Sequence, residues 1–168
     1  GIGGISMSSL AEILKSKGKT ITGSDGVASN VTKALENIGI QVSIGQKAEN
    51  ITPDTDLIVY TAAVREDNPE LMAARASGIE TVDRAALVGM MMLEYKFPLS
   101  VAGTHGKTTT SSLVTEIFLE AKANPTVSIG GILPSIKGNY KVGGEDYFIL
   151  ETCEYCDSFL KFNPHGAI

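Results

Sequence analysis

Lys107 and Thr108 close a short run, Gly103-Thr104-His105-Gly106-Lys107-Thr108-Thr109, built from residue types that hold phosphate. Glycines let successive backbone N–H groups turn toward one anion. A helix that starts after them adds unpaired donors and a partial positive charge. The Lys107 ammonium can reach β- and γ-phosphates as a point charge, and the Thr108 hydroxyl suits Mg2+. Only Thr104 and His105 separate the two glycines, so the loop is shorter than the common G-x-x-x-x-G-K-[ST] pattern. The plain alternative is a turn into a threonine-rich helix. His105 lies inside the loop, where packing or a nucleotide contact suits it better than proton transfer.

Glu151 ends the apolar run Tyr147-Phe148-Ile149-Leu150. A parallel sheet gathers ligand chemistry at the carboxyl ends of its strands, which is where this carboxylate would sit. A hard oxygen there could share Mg2+ with Thr108 and the nucleotide phosphates. A capping or surface role is the bland reading, and Glu154 is the competing carboxylate.

A second glycine loop opens the chain, Gly1-Ile2-Gly3-Gly4, before a helical pattern. Asp25 follows at about the 20-residue spacing at which a dinucleotide site places an acid on a ribose hydroxyl. Ser6 stands where the full fingerprint has Gly or Ala. The loop by itself therefore supports a narrower statement, a diphosphate on a helix amino terminus. Thr61, Ala62 and Ala63 follow an apolar strand and would lie at the same sheet edge, leaving room for a base or sugar. A loop of this kind normally follows a strand, so the amino terminus reads as trimmed.

The elements that must position these loops alternate. Met7, Leu10, Ile13 and Leu14 recur at helical spacing over residues 5–17, with Gly18 as the stop. Residues 20–22 read as a strand ending at Gly23-Ser24-Asp25. Val31, Ala34, Leu35 and Ile38 mark a second helix, stopped by Gly39, and residues 40–44 a strand. Residues 57–60 form an apolar run suited to a strand buried on both faces. Asn68-Pro69-Glu70 is a helix start, carrying a cap, a proline at the first position and an acid at the positive end. That helix runs to about Ser77; a strand near 81–82 and a helix over 84–93 follow. Such alternation predicts a parallel, doubly wound sheet.

Near residues 95–98 the pattern restarts. Residues 99–102 read as a strand and 107–121 as a helix burying Leu113, Val114, Ile117 and Phe118. Residues 126–129 and 147–150 read as strands, with 135–144 an exposed loop rich in Gly, Asn and Lys. No terminal helix or cap follows, so residues 96–168 read as a truncated second domain.

Composition narrows the class. With 43% hydrophobic and 20% charged residues, the chain can fold around a core. No apolar run approaches the ~20 residues that span a bilayer, and no basic-then-apolar leader opens the chain; a cytoplasmic location is the default. A net charge of −5 without Lys/Arg clusters excludes a nucleic-acid footprint. Cys153 and Cys156 are spaced C-x-x-C, yet His105 and His165 are poorly placed to complete a zinc site, so reduced thiols are expected.

Taken together the motifs resemble the Mur ligase family, the ATP-dependent amino-acid ligases of peptidoglycan precursor synthesis. The resemblance is carried by residues 103–110, the opening loop through Ala11, Gly23-Ser24-Asp25, Asp67-Asn68-Pro69-Glu70, Ile129-Gly130-Gly131, and residues 151–160. It covers essentially the whole chain. The opening loop is similar to that of the alanine-adding branch; the branch that recycles murein tripeptide shares the ATP loop and matches the opening less well.

The resemblance implies an α/β protein. Residues 1–95 would form a Rossmann-like UDP-sugar-binding domain and 96–168 the beginning of a P-loop-type ATPase domain. It implies UDP-N-acetylmuramate and L-alanine as substrates, with ATP and Mg2+. Gly1, Gly3, Gly4 and Ser8 would lie near the UDP diphosphate, and Asp25, Thr61, Ala62 and Ala63 near the uridine. Residues 103–109 would bind ATP, Lys107 being catalytic, with Thr108 and Glu151 as magnesium ligands. A nicotinamide oxidoreductase, a P-loop kinase or switch, and a non-catalytic UDP-sugar-binding module stand as rivals.

Overall fold

The computed structural model describes residues 1–152 and 161–168. The expectations for Cys153, Glu154 and Cys156 fall outside the described residues. The chain forms two compact units, Gly1–Arg84 and Ala85–Ile168.

In the first unit the order is α1 (Ile5–Ser16), β1 (Thr22–Asp25), α2 (Asn30–Asn37), β2 (Gln41–Ile44), β3 (Leu57–Tyr60), α3 (Pro69–Ala76) and β4 (Glu80–Asp83). Local chemistry sets the helix ends. Ser29 and Thr32 form a reciprocal capping box at α2, and Asn68 accepts from the amides of Glu70 and Leu71 at α3. Gly18, Gly39 and Gly78 each follow a helix with φ near +80° (82°, 81° and 76°), a region in which a side chain is strained.

The strands form two parallel ribbons, β1–β2 and β3–β4. The alternation of helix and strand is present, as is the parallel pairing. The first strand runs Thr22–Asp25, not 20–22, because the small Gly23 and Ser24 carry the pairing with β2. Every residue of β3 is only half-buried, against the expectation of burial on both faces. Gly1 and Ile2 sit beside the carboxyl end of β1: the Ile2 amide donates to the Ser24 carbonyl at 2.9 Å. Ile2, Ala11, Leu35 and Ile40 make the core there, with Ile21 and Val42 packed on it.

The second unit carries α4 (Arg84–Met92, all but its first residue), β5 (Phe97–Val101), α5 (Lys107–Glu120), β6 (Thr126–Leu133), β7 (Gly138–Lys141), β8 (Tyr147–Glu151) and β9 (Gly166–Ala167). They build a five-stranded sheet in the order β7-β6-β8-β5-β9, parallel except for β7. Val127, Ile129, Leu133 and Ile149 form its core with Leu99, Val114, Phe118 and Ile136. Phe148 and Ile149 are fully buried, and each such side chain stabilises the fold by about 1.5–3 kcal/mol.

Two expectations are corrected here. Leu113 and Ile117 are 60% and 65% exposed, so the buried face of α5 is Ser111, Val114, Thr115 and Phe118. Both patterns have helical periodicity; the polar pair wins because its hydroxyls are satisfied locally, Thr115 donating to the Ser111 carbonyl at 2.7 Å. Residues 135–144 are not an open loop, since β7 pairs antiparallel with β6 through a turn in which Lys137 takes φ 54°. The short β9 has no counterpart among the expected elements.

Candidate functional site

Strand register places the chemistry of the second unit. β5 and β8 run parallel with Val101 opposite Glu151, so both strands end at one edge, where the chain turns from β5 into the glycine loop. The buried Thr152 ties this edge: its amide and hydroxyl both donate to the Val101 carbonyl, at 2.9 and 3.0 Å. Glu151 is thereby held beside the start of α5.

The loop has the backbone that its glycines allow. Gly103 has φ 138° and Gly106, the N-cap of α5, has φ 78°; both lie where a side chain is disfavoured. Thr104 and His105 are exposed between them, as is Thr109 in the first turn of the helix. The Lys107 ammonium folds across its own loop and donates to the Gly103 carbonyl at 2.5 Å. That arrangement keeps the cation at the mouth of the loop, within reach of anything the loop amides bind.

Thr108 and Glu151 meet. The Thr108 hydroxyl donates to Glu151 Oε1 at 3.0 Å. Glu151 Oε2 receives the Gly130 amide at 2.8 Å and lies 3.3 Å from the Ser111 hydroxyl. A Cβ on Gly130 would stand 2.7 Å from Glu151 Oε1, and one on Gly131 would stand 2.8 Å from the Thr108 methyl. The middle of β6 comes this close only because those two residues are glycine.

Among the described residues no group of three or more His, Cys, Asp or Glu gathers. Thr108 and Glu151 would offer a cation two hard oxygens. That donor set fits Mg2+ bound with a nucleotide, since Mg2+ retains waters and takes one or two protein oxygens plus phosphates. Backbone amides of a glycine loop at a helix amino terminus fit the phosphates themselves.

The first unit gathers its own set. The Gly3 amide donates to Asp25 Oδ2 at 2.8 Å, and the Val27 amide to Oδ1 at 3.2 Å. Asp25 thus organises the glycine loop as well as closing β1. A Cβ on Gly3 would stand 2.9 Å from both Asp25 Oδ2 and the Thr32 methyl, and one on Gly1 2.7 Å from the Thr61 methyl. Gly4 is the N-cap of α1, which has no side-chain cap and no acid in its first turn. Ala62 and Ala63 are exposed beside Thr61, whose hydroxyl accepts from the Ala63 amide at 3.3 Å. Gly1, Gly3, Gly4, Asp25 and Thr61 are brought together at one edge. Ser8 is not: it is buried, and its hydroxyl donates to the Ile5 carbonyl at 3.1 Å.

Sequence reasoning missed three participants. Arg84 Nη1 donates to the Ser6 hydroxyl at 2.8 Å, which brings a cation to the first turn of α1 from 78 positions away. Ser111 and Gly130 were missed because a serine in a helix and a glycine in a strand carry no ligand pattern. The Gly130-Gly131 pair at the end of an apolar run was the available signal for Gly130.

The parallel α/β architecture and two glycine loops at strand edges define a class, and comparison with known proteins gives it a family. The profile described as "Mur ligase family, catalytic domain" matches residues 1–96. The chain belongs to the Mur ligase family. It is 56% identical, over its whole length, to UDP-N-acetylmuramate–L-alanine ligase of Agathobacter rectalis and 54% identical to that of Lachnoclostridium phytofermentans. It spans 37% and 36% of those two proteins.

Solved structures agree. The UDP-N-acetylmuramate-alanine ligase MurC of Thermotoga maritima superposes with a TM-score of 0.88 at 35% identity, over 99% of this chain and 39% of that one. The UDP-N-acetylmuramate:L-alanyl-gamma-D-glutamyl-meso-diaminopimelate ligase of Neisseria meningitides reaches 0.89 at 26% identity, over 99% and 57%. Among the described residues no helix is long and apolar enough to cross a membrane.

Proposed function

We propose that the protein containing this chain joins L-alanine to the lactyl carboxylate of UDP-N-acetylmuramate with ATP and Mg2+, in the cytoplasm, as a step of peptidoglycan precursor synthesis. Residues 1–95 bind the UDP-sugar, and 96–168 begin the ATP-binding domain. The observation that carries the reading is the Thr108–Glu151 contact beside Lys107 at the mouth of the glycine loop.

A carboxylate resists an amine because its charge repels the nucleophile and oxide leaves poorly. Transfer of the γ-phosphoryl group of ATP to a carboxylate oxygen forms an acyl phosphate and ADP. The alanine nitrogen then bonds to the carbonyl carbon, the carbon–oxygen bond to phosphate breaks, and the amine proton passes to solvent. Such transfer is mostly positioning and charge neutralisation. The loop amides orient the phosphates, and Lys107 follows the charge that develops on them. Thr108 and Glu151 hold Mg2+, which when bound offsets phosphate charge. In the first unit Gly3 and Gly4 seat the diphosphate on α1, Asp25 fixes the loop, and Arg84 adds a cation beside it. The exposed Ala62 and Ala63 leave space for the uridine.

Fold similarity does not separate alanine ligases from murein-peptide ligases, because the two TM-scores are nearly equal. Sequence favours the alanine ligases: identity is 35% to the alanine ligase structure and 26% to the peptide ligase structure, and 54–56% to two curated alanine ligases. The deciding experiment supplies the full-length protein with UDP-N-acetylmuramate, ATP and either radiolabelled L-alanine or the L-alanyl-γ-D-glutamyl-meso-diaminopimelate tripeptide. Turnover with alanine alone is expected; turnover with the tripeptide alone would reverse the assignment. Residues 1–168 in isolation are expected to ligate nothing.

A further inference from the structure

The two oxygens of Glu151 have different surroundings. Oε1 faces the Thr108 hydroxyl at 3.0 Å, at the exposed mouth of the loop. Oε2 instead receives the Gly130 amide at 2.8 Å, with the Ser111 hydroxyl at 3.3 Å. Ser111 is fully buried. Its single proton is contested by the Thr108 carbonyl at 3.1 Å, but a carboxylate is the stronger acceptor because it carries the charge. Gly130 lies within β6, where a Cβ would collide with both oxygens of the same carboxylate, at 2.7 Å from Oε1 and 3.0 Å from Oε2. Three elements, α5, β6 and β8, thus converge on one side chain, and two of them address a single oxygen.

We propose that the Gly130 amide and the Ser111 hydroxyl are positioning groups that hold Oε2, so that Glu151 presents a divalent cation with Oε1 alone. The inference rests on the reading of Thr108 and Glu151 as cation ligands. Its consequence is selectivity. Ca2+ accepts a bidentate carboxylate and a loose shell at 2.3–2.6 Å, whereas Mg2+ requires near-octahedral oxygens at about 2.0–2.1 Å. A carboxylate clamped through one oxygen suits the smaller ion, and a freed one rotates to offer both. Outer partners of ligands typically govern affinity by about 10–100-fold.

The test uses full-length protein saturated with ATP. Mn2+ binding is followed by electron paramagnetic resonance, with Mg2+ and Ca2+ as competitors. Ser111→Ala removes one donor without adding bulk, and Gly130→Ala keeps the amide but displaces the carboxylate. Each is expected to weaken Mn2+ binding about tenfold, within the range typical of outer-shell partners. Each is also expected to weaken competition by Mg2+ more than by Ca2+, with affinity for metal-free ATP unchanged. If Ser111→Ala fails to fold by circular dichroism, Gly130→Ala decides alone, its site being exposed. An unchanged Mn2+ constant, or an unchanged ratio of Mg2+ to Ca2+ competition, in the folded variants overturns the proposal. Glu151→Gln separates the two levels: if it too leaves Mn2+ bound as before, the cation-ligand reading itself is wrong.

Discussion

Thr108 donates its hydroxyl to Glu151 Oε1 across 3.0 Å, joining the first turn of one helix to the end of a strand 43 positions later. The contact puts a hydroxyl and a carboxylate at the mouth of the loop that Lys107 spans. It is the point from which the behaviour of the ATP half can be tested.

Replacing Lys107 by alanine in the full-length protein removes the cation while leaving the loop backbone in place. Loss of one preorganised electrostatic group costs on the order of 10²–10³-fold in kcat. UDP-N-acetylmuramate binding, read by isothermal titration, should be unchanged. Wild-type turnover in this variant would remove Lys107 from the mechanism.

Removing divalent ions with EDTA should abolish ligation and restore it on adding Mg2+. The same titration with UDP-N-acetylmuramate should continue to give heat without metal, because the proposed diphosphate site consists of backbone amides with Arg84 beside them. A sugar-nucleotide site that vanishes with EDTA would mean the two functions are not divided between the loops as proposed.

Gly3→Ala should damage the other half. Its Cβ would meet Asp25 Oδ2 and the Thr32 methyl at 2.9 Å. Forcing a methyl into a packed position typically costs about 1–3 kcal/mol. Relieving that clash would displace the Gly3 amide, and loss of one hydrogen bond to a charged diphosphate, about 1.5 kcal/mol, should lower UDP-N-acetylmuramate affinity roughly tenfold. The dissociation constant for ATP should stay put, and a parallel drop in both would argue for general unfolding.

The Glu66–Arg75 pair is a local source of acid sensitivity in the first unit. Glu66 is paired with Arg75, whose hydrogen bonds hold the Glu66 carboxyl below its usual 4.5. A depressed carboxyl contributes stability above its unfolded value and loses it as pH falls through the folded one. Glu66→Gln should therefore lower the thermal midpoint slightly at pH 7 and have no effect well below pH 4.5. The pair is exposed, so 1 M salt should erase most of the difference. A larger effect at pH 3 than at pH 7 would have the sign reversed.

Much of this was legible in the chain itself. Asn68-Pro69-Glu70 starts a helix because cap, proline and acid act on adjacent backbone, and it does so here. Gly103 and Gly106 announce a tight loop before α5 because only glycine takes their backbone angles cheaply. Glu151 was readable as the end of an apolar strand. The face of α5 was misread, since Leu113 and Ile117 satisfy the same periodicity as Ser111 and Thr115, and hydropathy favours the wrong pair. β7 was missed because Gly, Asn and Lys describe a loop equally well until a partner strand supplies the hydrogen bonds.

Residue type and short spacing therefore determined the loops, the caps and the alternation of elements, because those depend on interactions within a few residues. Tertiary structure alone decided which atoms face each other: Val101 against Glu151, Gly130 upon its carboxylate, Arg84 upon Ser6. Those meetings follow from strand register and close packing, and no local preference encodes either.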